Sequence, residues 1–238
     1  MGKAIPKSNQ KPSDGATKEE AAWGEPVWSE PRWPAALAVI AAIVLYQTLP
    51  ARYTLGAPAW LLSAVEAGLL IPLFATSPRR SNHEARWQRV FSLLLIALVN
   101  LANVVSLIAL INALLEGHQV AGKNLLFYGA QIWFTNVLVF ALWYWELDRG
   151  GPGARCAPHH REPDFLFPQM ANPGSAPVDW HPSFMDYLYV SFTNATAFSP
   201  TDTMPLTAWA KLLMTIQSLA SLITVALVGA RAVNILGQ

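Results

Sequence analysis

Two uninterrupted runs, Val90–Leu115 and Leu125–Trp145, contain no Asp, Glu, Lys or Arg. A helix on the surface of a soluble bundle carries charged or polar residues opposite its apolar stripe, and neither run offers such a face. Three further stretches, Pro34–Ala51, Pro58–Thr76 and Leu206–Ala230, are almost as apolar, with Glu66 and Lys211 as their only ionisable side chains of the Asp, Glu, Lys and Arg type. Each of the five is near or above the roughly 17–25 residues that a helix needs to cross a bilayer. Lipid supplies no partner for a free backbone N–H or C=O, so spanning segments close their hydrogen bonds within a helix. The chain is therefore expected to be an all-α, multi-pass transmembrane bundle.

Composition supports this and excludes other classes. Charged residues make up 13% of the chain and hydrophobic ones 53%, against about 25% charged in ordinary soluble domains. The net charge of +1 leaves no electrostatic footprint for nucleic acid. A single cysteine, Cys156, cannot form a disulfide within the chain. No nucleophile–base pair, Gly-rich phosphate loop or metal motif stands out, so an enzyme is not expected and no cofactor is implied. His159 and His160 lie near Cys156 but lack a third ligand at a useful spacing.

Four regions follow. Residues 1–33 are expected to form a polar, Pro-containing, disordered tail, and no cleavable leader is expected in it. It ends in "WGEPVWSEPRWP", where Trp23, Trp28 and Trp33 recur every five residues, a spacing suited to proline-rich chain lying at headgroup level. Residues 34–147 hold four membrane helices, the last ending in "WYWELDRGGPG", which reads as an exit into water. Residues 148–183 are a polar linker in which "PDFLFPQM" reads as a short apolar anchor docked on the bundle. Residues 184–238 hold a short apolar helix, a loop and the final membrane helix.

Polar groups inside the spans are costly and therefore informative. Glu66, midway along the second stretch, is a candidate ion or proton site, with Asn100 and Asn103 or Gln131 and Thr135 as candidate hydrogen-bond partners. Two polar rows share the last helix at helical spacing: Lys211, Thr215 and Ser218 on one face, and Gln217, Ser221 and Thr224 on another. Either could line an aqueous path, pack against a neighbouring subunit or serve as a packing surface.

The segment "MDYLYVSFTNATAFSPTDTMPLT", with the helix that follows, resembles the pore-helix, filter and inner-helix unit of the potassium-channel superfamily. In that family a short apolar helix leads into Thr-Val-Gly-Tyr-Gly-Asp, then Pro and the inner helix. The start "YVSFTNAT" and the end Asp202-x-x-Pro205-x-Thr207 fit the pattern. The same segment, together with "ELDRGG" and "PDFLFP", is similar to an uncharacterised family of bacterial multi-pass membrane proteins with no known activity. The resemblance implies a re-entrant pore loop, a homo-oligomer (a tetramer if channel-like) and passage of monovalent cations, with Thr196, Ser199, Pro200, Thr201 and Asp202 as the filter-like residues.

The departures shape the expectation. Ser199 and Thr201 stand where the family has glycines, and Pro200 stands where it has Tyr. Glycine supplies the unusual dihedrals of a carbonyl-lined filter. Pro200 fixes φ and pushes Ser199 towards extended conformations. A potassium-type carbonyl ladder is not expected, which leaves a ring of hydroxyls and Asp202 carboxylates. In a structural role, Asp202 would simply cap the final helix.

Twelve of the sixteen Lys and Arg residues lie in the tail, the 77–89 loop and the 148–183 linker. Positive-inside bias puts those segments and the N-terminus in the cytoplasm, with the protein in the plasma or inner membrane. The expected topology is five crossings plus one re-entrant segment entering from the cytoplasmic side. The alternatives are a small proton-coupled transporter built on Glu66, or a structural or accessory membrane subunit.

Overall fold

The computed structural model describes residues 30–54, 86–115, 122–155, 162–172, 174, 177, 180–197 and 202–236. The stretch 58–76 with Glu66, the loop 198–201, and Cys156, His159 and His160 lie outside the described residues, as do residues 1–29 of the tail.

The fold is mostly helical. In chain order it comprises α1 (Trp33–Gln47), a 3-10 turn (Ala51–Tyr53), α2 (Arg86–Leu115), α3 (Gly122–Leu147), a second 3-10 turn (Asp148–Gly150), α4 (Pro152–Arg155), β1 (Phe165–Leu166), α5 (Pro168–Ala171), α6 (Phe184–Ala197), β2 (Met204–Pro205) and α7 (Ala208–Leu236). Among the described residues three segments are long and apolar enough to cross a membrane: Trp87–Leu114, Lys123–Gly150 and Ala208–Ala230. Helix α1 is equally apolar but only 15 residues long. That corresponds to about 22 Å at the helical rise.

Helix α3 is the central post, with α1, α2, α6 and α7 packed around it. Small side chains bring its neighbours close. On α1 the buried residues Ala35, Ala38, Val39 and Ala42 recur at the three- and four-residue spacing of one helix face. On α3 the glycine at 129 sits against Val228 of α7, where an added Cβ would come within 2.5 Å of the valine methyl. Such close approach through small residues is how helices associate in lipid, where apolar area alone gives no drive. The outward faces stay apolar: Leu94, Leu101, Val104 and Ile108 on α2, and Leu212, Ile216 and Leu219 on α7, are exposed. Contiguous apolar stripes of this kind suit contact with acyl chains.

The linker departs from the sequence reading in one respect. The "ELDRGGPG" exit does not open into water: Asp148, Arg149, Gly150 and Arg155 are all buried. The chain turns back here through left-handed backbone at Arg149 (φ 52°), Gly150 (φ 87°) and Gly151 (φ 99°). A Cβ at Gly151 would lie 2.9 Å from the Glu146 carbonyl oxygen, so glycine is needed there both for space and for its dihedral freedom. The returning chain buries Phe165, Phe167 and Met170 in the main core, with the rings of Phe165 and Phe167 5.1 Å from Tyr144 and 5.4 Å from Tyr187 respectively. Aromatic pairs at these separations contribute beyond simple area burial.

Candidate functional site

Helix α6 is started by Ser183 and Asp186. The Asp186 carboxylate accepts bonds from the Ser183 backbone N–H at 2.7 Å and hydroxyl at 2.8 Å, which satisfies an otherwise orphan donor at the helix start. From there α6 runs along α3: Phe184 lies against Trp145, Ser191 Oγ donates to the Val137 carbonyl at 2.7 Å, and Phe192 stacks edge-on with Trp133. After α6 the described chain resumes at Asp202, and β2 pairs with β1 in the register Phe165↔Pro205 and Leu166↔Met204. Helix α7 begins next to the same end of α3.

Two carboxylates hold this arrangement. Asp148, fully buried, accepts a hydrogen bond from Tyr187 Oη at 2.6 Å and from the Asp164 backbone N–H at 2.8 Å. Asp164 in turn accepts from the Arg149 N–H at 3.0 Å and from the Thr207 hydroxyl at 2.7 Å, while its carbonyl accepts from the Leu206 N–H at 2.8 Å. One chain of bonds thus links α3, the linker, α6 and the start of α7.

Behind it, Arg155 donates through Nε and Nη2 to both oxygens of Glu30, at 2.9 and 3.0 Å, and through Nη1 to the carbonyls of Trp145 and Asp148. The Trp145 indole also donates to Glu30. Burial works against the guanidinium charge, but Tyr187, Glu30 and Asp148 around it outweigh that cost and hold its pKa above the usual arginine range. Arg155 therefore stays charged at every working pH.

Within the bundle, Gln217 is the hub between α7, α6 and α3. Its amide nitrogen donates to the Ser191 carbonyl at 2.9 Å and hydroxyl at 2.6 Å. Its oxygen accepts from Tyr144 Oη and, at 2.8 Å, from Asn194 Nδ2. Both donors and both acceptor positions of the amide are used. Asn194 also donates to the Met214 carbonyl and accepts from Ser218 Oγ, each at 3.0 Å, and Asn136 donates to Ser221 Oγ at 3.0 Å. The row Gln217, Ser221 and Thr224 is buried. It therefore packs inside its own chain rather than against a neighbouring subunit.

The other row stays open. Lys211 and Thr215 are exposed and Ser218 is half-buried, and all three line a groove of about 490 Å³ shared with Asn194, Pro205, Met214, Leu219 and Leu222. Thr196 is exposed, its hydroxyl bonded back to the Phe192 and Thr193 carbonyls. Gln131 proves to be interhelical glue, with Nε2 on Thr48 Oγ1, and Thr135 bonds back to the Gln131 carbonyl at 2.9 Å. No group of three or more His, Cys, Asp or Glu residues that could hold a metal occurs among the described residues.

Asp202 is exposed and does not cap the final helix. The cap is Thr207, whose hydroxyl accepts the Ala210 N–H at 3.3 Å. The loop between the two residues is committed to β2, so the helix cannot start earlier. Thr207→Ala is expected to lower stability by about 1–2 kcal/mol, through the lost cap and the lost bond to Asp164. Asp202→Ala should leave the thermal midpoint unchanged. Thermal unfolding of the two purified variants in mild detergent checks the pair, and a loss confined to Asp202→Ala would reverse the assignment.

Comparison with protein-family models, curated proteins and solved structures finds no match. The functional reading therefore rests on this geometry and on the motifs.

Proposed function

We propose that this chain is a homo-oligomeric, pore-loop-type integral membrane protein with five crossings, the 58–76 stretch included, and a re-entrant segment formed by α6 and the loop after it. The observation that carries the reading is the open polar row on α7. Lys211 and Thr215 are exposed, and Ser218 beside them is half-buried and bonded to Asn194; polar side chains along a membrane helix favour a water-filled cavity or a partner over lipid. The apolar sector of Trp209, Leu212 and Ile216 lies elsewhere on the same helix, so one side of α7 suits lipid and another an aqueous axis.

Support for the re-entrant form comes from the two ends of the segment. Phe184 packs on Trp145 and Thr207 bonds to Asp164, so the chain enters and leaves beside the same end of α3. On the positive-inside reading that end is cytoplasmic, as in the inverted pore loop of ionotropic glutamate receptors. Around a shared axis, Asp202 carboxylates and Lys211 ammonium groups contribute opposite charge. With no glycine in the filter-like loop, the path selects weakly among monovalent cations or does not conduct.

Reconstitution in planar bilayers tests this. Asp202→Asn is expected to reduce cation current, most at low ionic strength, where screening is weak. Thr215→Cys, in a Cys156→Ala background, is expected to cross-link between subunits. A monodisperse monomer in mild detergent, with no cross-link, would overturn the reading.

A further inference from the structure

The groove beside α7 has a polarity gradient that a pore does not require. Its upper end holds Lys211, in the first turn of the helix. Its lower end is apolar, lined by Met214, Leu219 and Leu222. From Lys211 to Leu222 the helix rises about 16 Å, and the volume of about 490 Å³ falls within the roughly 300–1,000 Å³ of ordinary ligand sites.

The other polar groups in the groove are already engaged. Asn194 bonds to Met214, Gln217 and Ser218, and Thr215 Oγ1 donates to the Lys211 carbonyl at 2.8 Å. Among the described residues no carboxylate forms an ion pair with Lys211. Among the described residues, Lys211 thus stands as an unpaired cation at the mouth of an apolar trough. On another side of the same helix end Trp209 is exposed, a side chain suited to the membrane–water boundary.

We propose that this groove seats one anionic phospholipid, with its phosphate at the Lys211 ammonium and an acyl chain along Met214, Leu219 and Leu222. The charge is complementary to an anionic headgroup, the leaflet on the positive side of the protein is the one that carries such lipids, and the apolar floor matches a hydrocarbon chain. The groove's own lining holds no carboxylate, so the same face of a second copy brings no counter-charge to Lys211. The inference goes beyond the pore reading and holds for a single chain. In an oligomer, the same lipid would neutralise Lys211 beside the axis.

Native mass spectrometry of the full-length protein, released from vesicles of phosphatidylcholine with or without phosphatidylglycerol, tests the proposal. Wild type is expected to retain phosphatidylglycerol over phosphatidylcholine by about fivefold, the increment of one basic side chain near an anionic headgroup. Lys211→Gln should bring the two to parity, Lys211→Arg should keep the preference, and Leu222→Trp should reduce retention of both lipids by filling the trough. Gel filtration and thermal midpoints matching wild type confirm that the variants are folded. An unchanged preference in Lys211→Gln would overturn the proposal. So would displacement of the lipid by soluble glycerol phosphate as readily as by phosphatidylglycerol, which would make the site one for a free anion. Retention of a second protein chain in place of lipid, insensitive to phosphatidylglycerol, would identify the groove as a subunit contact.

Discussion

Arg155→Met is expected to destabilise the folded chain by about 3–5 kcal/mol, the usual consequence of removing one partner of a buried ion pair. The side chains of Arg155 and Glu30 are each only 4% exposed, so the loss strands the Glu30 carboxylate with the Trp145 indole as its remaining hydrogen-bond donor. Two backbone carbonyls, of Trp145 and Asp148, lose their guanidinium donor as well. Glu30→Gln should cost less, because the amide oxygen still accepts and Arg155 keeps its carbonyl partners. The double variant Glu30→Gln/Arg155→Met should recover part of the loss, since no buried charge is then left alone. A double-mutant cycle from unfolding in mild detergent reads the coupling, and additive losses would mean that the pair contributes nothing of its own.

This ion pair also marks where a sequence reading reaches its limit. The long apolar segments were legible because hydrophobicity over twenty residues is a local property. The expected runs Val90–Leu115, Leu125–Trp145 and Leu206–Ala230 lie within a few residues of α2, α3 and α7. The pairing of Glu30 with Arg155 spans 125 residues, and no local pattern encodes it. Charges after an aromatic belt look solvated when only the chain itself is seen, and for that reason "ELDRGGPG" read as an exit into water.

The cap of α7 shows a subtler failure. Asp202 and Thr207 are both good capping types. What chooses between them is the pairing of Met204–Pro205 with Phe165–Leu166, a tertiary contact that holds the intervening residues out of the helix. Asp164, which fixes Thr207 and is itself fixed by Asp148, drew no notice in the sequence, although the flanking prolines and aromatics of "PDFLFP" did. The two polar rows of α7 were visible from spacing alone. Which row faces inward depends on Tyr144, Ser191 and Asn194 on other helices.

That inward row supports the second large effect. Gln217→Leu is expected to lower stability by about 2–3 kcal/mol, on a membrane average of about 0.6 kcal/mol for each of four interhelical bonds lost. The leucine fits the buried volume but leaves Ser191, Tyr144 and Asn194 facing a hydrocarbon side chain, and the loss concentrates where α6 meets α7. Amide exchange along α6 should accelerate more than along α2, which has no bond to Gln217. Gln217→Glu separates shape from hydrogen bonding. Its oxygen still accepts from Tyr144 and Asn194, but its second oxygen, when ionised, confronts the Ser191 carbonyl that Gln217 now supplies with a donor. Gln217→Glu should therefore be more stable at acidic pH, where the carboxyl is protonated and can donate, and weaker at neutral pH. Thr215→Leu, on the open row, provides the contrast: it adds apolar surface to the groove without breaking an interhelical bond, so its thermal midpoint should stay near wild type. Equal losses from Gln217→Leu and Thr215→Leu would mean that the buried amide is not the hub that its four contacts make it.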